Sequence, residues 1–306
     1  MMKFVVTGGA GFIGSHLVDH LISKGHEVTV LDDLSTGHKK NIHPQAKFKQ
    51  GSVLDRKLVE SLLLDSDGCF HLAAVASVAR CNTDWLNSHE INLNGTLNVF
   101  HAALASKRKV PVVYASSAAV YGNATQLPLE ESSQTKPLGF YGLDKLHSEK
   151  YAQALGQISA LKTFGLRFFN VFGSRQDPRS EYSGVISRFI RFVKEEEDIL
   201  VYGDGQQERD FVHVQDVVEF ALEALTHASE EGPLSNICTG KGTQIIELAQ
   251  LISKKVHSSI HPRINHGPKR SGEILKSIGS TQKMMRTFGH LPKRTLENNL
   301  PLEEST

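Results

Sequence analysis

Residues 3–14 read KFVVTGGAGFIG. A short β-branched run closes on Thr7, Gly8, Gly11 and Gly14 follow in the spacing G-x-x-G-x-x-G, and a helix-periodic stretch, GSHLVDHLISKG, opens at once. Its place between strand and helix gives the triplet meaning. Backbone N–H groups and the positive end of the helix dipole face an incoming pyrophosphate there, and a side chain at the glycines blocks the approach. The next strand pattern, HEVTVLDD, ends in Asp32 and Asp33, about 20 residues downstream, where a carboxylate accepts from ribose hydroxyls. A carboxylate there also repels a 2′-phosphate, and no Arg stands at that strand end, so the pattern favours NAD over NADP.

Outward from this turn the chain keeps alternating buried strand patterns (GCFHLAA, VPVVYASS, LKTFGLRF) with amphipathic stretches. This predicts an α/β fold: a Rossmann-type doubly wound parallel sheet with a smaller α/β substrate lobe. The expected division is a dinucleotide-binding domain over 1–172 with a return segment near 211–238, and a substrate lobe from 173–210 and 239–306. VISRFIRFVKEEED reads as one helix of the lobe, and its acidic tail, Glu195 to Asp198, as a solvated face.

With 306 residues, 40% hydrophobic and 22% charged, the chain excludes collagen-like, disordered and low-complexity classes. Thirty-four basic against 33 acidic residues leave no global excess for nucleic acid or an anionic membrane. Cys69, Cys81 and Cys238 are odd in number, dispersed and without a CxxC pair, which argues against disulfides or structural zinc and fits a reducing cytosol. No secretory leader or membrane-length apolar run is read, so the N-x-S/T matches at Asn94 and Asn123 are taken as chance. Fifteen His form no HExxH or close ligand group, and no metal is expected.

Tyr141 and Lys145, four apart in FYGLDKLHSEKY, project from one helical face. Bringing a phenol from about 10 to about 7 takes roughly 4 kcal/mol of preferential phenolate stabilisation, which an ammonium and a nicotinamide cation together can supply. Tyr141 is then a candidate base. Ser116 and Ser117 follow a buried strand pattern at the sheet edge where such folds bind ligands. Without a GxSxG elbow they read as hydrogen-bonding groups rather than nucleophiles.

From TGGAGFIG through LDDLSTG, FHLAAVASV, INLNGT, SSAAVYG, YGLDK, LRFFNVFG, RQDP, VYGDGQQERDFVHV and PKRSGE, the chain resembles the extended short-chain dehydrogenase/reductases, and within them the nucleotide-sugar 4-epimerases. The resemblance implies Tyr141 as acid/base, Lys145 as the ribose-binding cation and Ser117 as the partner of the sugar 4-hydroxyl. For NAD it implies Gly8, Gly11, Phe12, Ile13 and Gly14 at the pyrophosphate. Asp32, Asp33, Leu34, Ser35, Thr36 and Gly37 fall at the adenosine ribose, and Ser52 and Val53 at the adenine. Leu72, Ala73, Ala74, Ala76, Asn92, Ser116 and Phe169 fall beside the rest of the cofactor. For a UDP-sugar it implies Asn170, Val185, Tyr202, Arg209, Arg270 and Glu273, where two guanidinium forks suit a diphosphate. It also implies a homodimer, and the cysteine usage leads to the expectation of a cytoplasmic one.

Two features narrow the reaction. Related dehydratases carry an Asp-Glu pair directly after the Ser/Thr, because eliminating water needs an acid and a base. Ala118 and Ala119 stand there instead, which also disfavours the decarboxylases, with their nearby Glu. At the epimerase gatekeeper position, where Tyr excludes acetylated sugars, the alignment puts Ser277, so N-acetylhexosamines fit. The expectation is NAD-dependent epimerisation of a UDP-sugar at carbon 4. Its rivals are a nucleotide-sugar 4-reductase or dehydrogenase, and a noncatalytic NAD-binding scaffold or sensor.

Overall fold

The computed structural model describes residues 1–177, 184–256, 262–269 and 272–302. The strands are β1 (Lys3–Thr7), β2 (Glu27–Asp32), β3 (Lys47–Gln50), β4 (Gly68–His71), β5 (Val112–Ser117), β6 (Thr163–Phe168), β7 (Asn170–Phe172), β8 (Ile199–Tyr202), β9 (Glu208–His213), β10 (Leu234–Ile237), β11 (Gly242–Gln244), β12 (Ile264–Gly267) and β13 (Lys276–Ser277). The helices are α1 (Phe12–Ser23), α2 (Arg56–Leu63), α3 (Val78–Thr83), α4 (Trp85–His89), α5 (Gly95–Ala105), α6 (Phe140–Ser159), α7 (Val185–Lys194), α8 (Val214–Thr226), α9 (Ile245–Lys255) and α10 (Gln282–Phe288).

Seven strands form one parallel sheet in the order β10-β6-β5-β4-β1-β2-β3. The order reverses between β1 and β4, and ligands bind in the crevice outside the strand ends at such a point. Alternation along β1 divides the core. Phe4 and Val6 pack with Leu17 and Leu21 of α1 and Val217 and Phe220 of α8, while Val5 packs on the other face with Val59 of α2 and Phe100 of α5. β4 and β6 are buried along their whole length, so their sequences, GCFH and TFGLRF, do not alternate between apolar and solvent-facing residues, and the polar side chains they carry are buried too. β3, KFKQ, was not among the strand patterns expected. It is an exposed edge strand whose lysines blunt the edge and erase the apolar run.

The smaller lobe packs Phe172, Ile186, Phe189 and Ile190 against Val201, Phe211, Leu248 and Ile252. β11, β9, β13 and β7 form one small sheet, and β8 pairs with β12. α10, grouped with this lobe in the sequence reading, instead lays Met284 into the large sheet's core, with Phe288 packed against it. α7 ends at Lys194, and the four acidic residues after it are exposed. No described helix is long and apolar enough to cross a membrane.

One buried polar network fixes α6 to the sheet. Arg167 on β6 donates from Nε and Nη2 to the two oxygens of Glu149 on α6, at 2.8 and 2.7 Å, and both residues are almost wholly buried. Ser116 of β5 donates to Glu149 at 2.5 Å, Arg167 reaches the Tyr121 hydroxyl at 2.9 Å, and that hydroxyl donates to Asn236 on β10 at 2.6 Å. Removing one partner of such a pair strands the other charge. Arg167→Met is therefore expected to cost about 3–5 kcal/mol, measured by urea unfolding, with less lost in the double Arg167→Met, Glu149→Met variant. A single variant within about 1 kcal/mol of the parent contradicts the anchoring role.

Candidate active site

The crevice at the strand-order reversal is built on close backbone approach. Gly8 has φ +72°, and a Cβ there meets Ala73 N at 2.7 Å. A Cβ on Gly14 collides with the Gly8 carbonyl oxygen, and one on Gly11 sits 3.2 Å from it. α1 begins at Phe12 and Ile13 with no side-chain cap and no acidic residue in its first turn, leaving its first N–H groups for an anion.

Asp32 closes β2 beside this turn. Its Oδ2 accepts from Ala10 N at 2.9 Å and its Oδ1 from Leu34 N at 2.8 Å, so it sets the glycine turn and still has lone pairs for a ribose. Burial raises its pKa, opposed by these two bonds. Asp33 is exposed and accepts from Ser35 N at 2.9 Å. Ser35 and Thr36 are exposed too, and a Cβ on Gly37 meets Asp32 Oδ1 at 2.9 Å. Past β3, Ser52 and buried Val53 stand near Asp32, whose carbonyl accepts from Gly51 N at 3.1 Å.

Leu72 and Ala73 continue β4 against Thr7, with Leu72 N 3.1 Å from Thr7 O and Ala73 N 3.3 Å from Thr7 Oγ1. Ala74 is half-buried and Ala76 exposed. Asn92 does not project its amide into the crevice. It accepts from Val75 N at 2.8 Å and donates to Val75 O at 3.2 Å, so it shapes the loop that carries Ala74 and Ala76. The turn, the uncapped helix and the carboxylate fit a dinucleotide.

Ser117, Tyr141 and Lys145 come together where β5 ends and α6 begins. Ser117 caps the single turn Ala118–Tyr121, accepting from Ala119 N at 3.1 Å, and its hydroxyl stands near enough to the Tyr141 phenol to favour the phenolate. Lys145 Nζ lies 5.8 Å from the Tyr141 ring centre. Ser116, one residue back on the alternating strand, has its hydroxyl committed to Glu149. Phe169 is buried in a small cluster with Tyr121 and Cys238.

The expectation was that the ammonium and a nicotinamide cation together bring the phenol to about 7; in the protein alone, burial pushes Tyr141 up to about 12, with Ser117 opposing. Burial likewise pulls Lys145 down to about 8, with the Asp144 carboxylate opposing. The phenolate therefore depends on a further cation beside the ring.

A second cavity in the smaller lobe gathers Asn170, Val185, Tyr202, Arg209 and Glu273. Burial lowers the pKa of Arg209, with the Glu273 charge opposing. Sequence reading missed Arg188 and Gln207, which line the same cavity. The spacing held the signal, since Arg188 follows Val185 by one helical turn and Gln207 precedes Arg209 by one strand repeat. Gln207 donates to Tyr202 O at 3.1 Å and to Glu273 Oε1 at 3.3 Å. Arg270 lies outside the described residues. Ser277 pairs with Arg209 across β13 and β9, on the same face, but is not among the residues lining this cavity. A larger cavity of about 670 Å³, between residues 130–132 and α10, holds none of the expected residues. Among the described residues no group of three or more His, Cys, Asp or Glu is arranged for a metal.

Residues 4–238 match the NAD dependent epimerase/dehydratase family. A Methanocaldococcus jannaschii protein provisionally named a UDP-glucose 4-epimerase is 40% identical over 97% of this chain and 95% of its own length. The UDP-N-acetyl-alpha-D-glucosaminuronate decarboxylase of Bacillus cytotoxicus is 35% identical over 87% of this chain and 83% of its own. Among solved structures, the UDP-glucose 4-epimerase of Thermotoga maritima with UDP-glucose has TM-score 0.92 and 34% identity, covering 98% of this chain and 97% of that one. The UDP-N-acetylglucosamine 4-epimerase of Methanobrevibacter ruminantium, in complex with UDP-N-acetylmuramic acid, has TM-score 0.92 and 32% identity, covering 98% and 96%. With this sheet order, this glycine turn and these relatives, the chain belongs to the NAD dependent epimerase/dehydratase family of Rossmann-fold enzymes that act with NAD.

Proposed function

We propose that this enzyme interconverts UDP-sugars that differ in configuration at carbon 4. The observation that carries the reading is the gathering of Ser117 and the Tyr141 phenol, with Lys145 one turn further on and alanines, Ala118 and Ala119, where an elimination needs carboxylates. NAD, which the glycine turn, the start of α1 and Asp32 would hold, would supply reversible acceptance of the carbon 4 hydride, so that the sugar passes through a 4-keto form. Tyr141 takes the 4-hydroxyl proton, directly or through Ser117, and gives it back. With an oxidised nicotinamide bound beside its ring, Tyr141 would have the further cation that its phenolate needs. Arg209 holds the diphosphate. Glu273, oriented by Gln207, accepts from the uridine ribose. The sugar turns about this anchor between the two hydride transfers.

The 35% identity to a decarboxylase favours a second reading, decarboxylation of a UDP-uronate. Offered UDP-galactose without added reductant, the enzyme is expected to form UDP-glucose, followed by proton NMR at the anomeric position. No conversion, together with carbon dioxide release from a UDP-uronate, favours the decarboxylase. Net consumption of added NADH favours a reductase. Tyr141→Phe keeps the ring and removes the proton, so it is expected to lower kcat at least about 100-fold while NAD stays bound. Near-parental turnover removes Tyr141 from the mechanism.

The same reading includes N-acetylhexosamines, because Ser277 is small and shares a sheet face with Arg209. Ser277→Tyr is expected to lower the ratio of kcat/KM for UDP-N-acetylgalactosamine to that for UDP-galactose by about 5- to 150-fold. An unchanged ratio rejects the gatekeeper role.

A cytosolic homodimer completes the proposal. Three buried free thiols suit a reducing compartment. Val78, Trp85, Leu86, Phe140 and Leu143 expose apolar side chains around the stacked Trp85–Phe140 pair, a patch that a second copy can cover. Light scattering is expected to give a dimer for the parent and a folded monomer for Leu86→Glu. A dimeric Leu86→Glu variant rejects this face.

A further inference from the structure

Asp144 stands immediately before Lys145 in α6 and is 3% exposed, yet the chemistry above gives it no part. Its Oδ1 accepts from His89 Nδ1 at 2.7 Å, and its Oδ2 has no hydrogen-bond partner among the described residues. A carboxylate so buried and half-satisfied is costly unless a charge beside it compensates. The Lys145 ammonium, next to it in α6 and 2% exposed, acts on it through space as a compensating charge. The His89 side chain, 39% exposed at the end of α4, connects the pair to solvent.

We propose that Asp144, oriented by His89, is a positioning residue that keeps the proton on Lys145 while the catalytic site works. The other titratable groups acting with Lys145 are neutral near pH 7. Tyr141 on the same helix is pushed up to about 12, the Cys81 thiol on α3 is raised, and His71 on β4 is pushed down to about 3, each mainly by burial. The remaining charged or titratable groups on elements packed against α6 are Arg80 on α3, Glu90, bonded to Asn94, and His101, bonded to Arg56. Tyr114 and Tyr121 are buried phenols raised by burial, and Glu149 and Arg167 neutralise each other. Asp144 therefore supplies the negative charge that opposes deprotonation of Lys145, whose pKa burial brings down to about 8. Removing that charge lets Lys145 lose its proton at lower pH. Activity then falls earlier on the alkaline side and stays near parental on the acid side.

The kinetic part rests on the epimerase reading, and the spectroscopic part does not. In the full-length enzyme labelled with ¹³C-lysine, the Cε resonance of Lys145 is followed against pH and identified by its absence in Lys145→Met. The alkaline limb of kcat/KM is measured alongside. Asp144→Asn is expected to move both midpoints down by at least about one pH unit. His89→Ala is expected to move them the same way by less, and His89→Asn, which restores a donor, to return them toward the parent. If Asp144→Asn does not fold, Asp144→Thr and His89→Ala carry the same test. Unmoved midpoints in a folded variant overturn the proposal, as does an equal loss of rate at every pH with unchanged Lys145 titration. A shifted Lys145 titration in a protein without epimerase activity leaves the Asp144 role standing and rejects the reaction.

Discussion

Glu149 and Arg167 are opposite charges taken almost wholly out of water, and the bidentate pair they form joins helix α6 to strand β6. A pair of this kind contributes little net stability against an apolar substitute, but it tolerates few alternative geometries. Ser116 and Tyr121 are drawn into the same network from β5 and the turn after it, and Asn236 from β10. Committing Ser116 to Glu149 ties the end of β5 to α6, and Ser117, the last residue of that strand, caps the turn that follows beside Tyr141. Because Tyr141 and Lys145 precede Glu149 on the same helix, fixing Glu149 fixes their height over the sheet edge. The chemistry is thus placed from beneath by groups that take no part in it.

The second constraint is the contact between two backbones at the end of β1 and β4. Only glycine at position 8 lets the turn pass Ala73, and the same turn receives Asp32 through Ala10. The carboxylate thereby orders the loop it belongs to and the glycine turn together. Thr7 links this contact to His71, whose ring nitrogens lie 2.7 and 2.9 Å from Thr7 Oγ1 and Thr96 Oγ1. Since Thr96 donates to Asn92 O at 2.6 Å, it accepts from His71 Nε2, and the buried imidazole stays neutral with its tautomer fixed.

Much of this was legible in the chain because the relevant constraints are local. A strand, three glycines and a helix within residues 3–23 dictate the crevice, and a four-residue spacing dictates that Tyr141 and Lys145 share a face. The parts that were not legible depend on partners distant in sequence. Ser116 and Asn92 are polar residues in site segments, and only the fold reveals that Glu149 and Val75 occupy them. The spacing of Tyr141 and Lys145 did not show how far burial raises the phenol, which is why the lysine needs the second cation that the sequence reading joined to it. β3 carries no apolar run, because an edge strand has no need of one.

In the proposed reaction carbon 4 loses and regains its own hydride within one bound turnover. UDP-galactose carrying deuterium at carbon 4, converted in ordinary water and read by NMR, tests it most directly. The account predicts UDP-glucose that retains the deuterium at carbon 4, undiluted by solvent protons. Product with hydrogen from water at carbon 4 contradicts it.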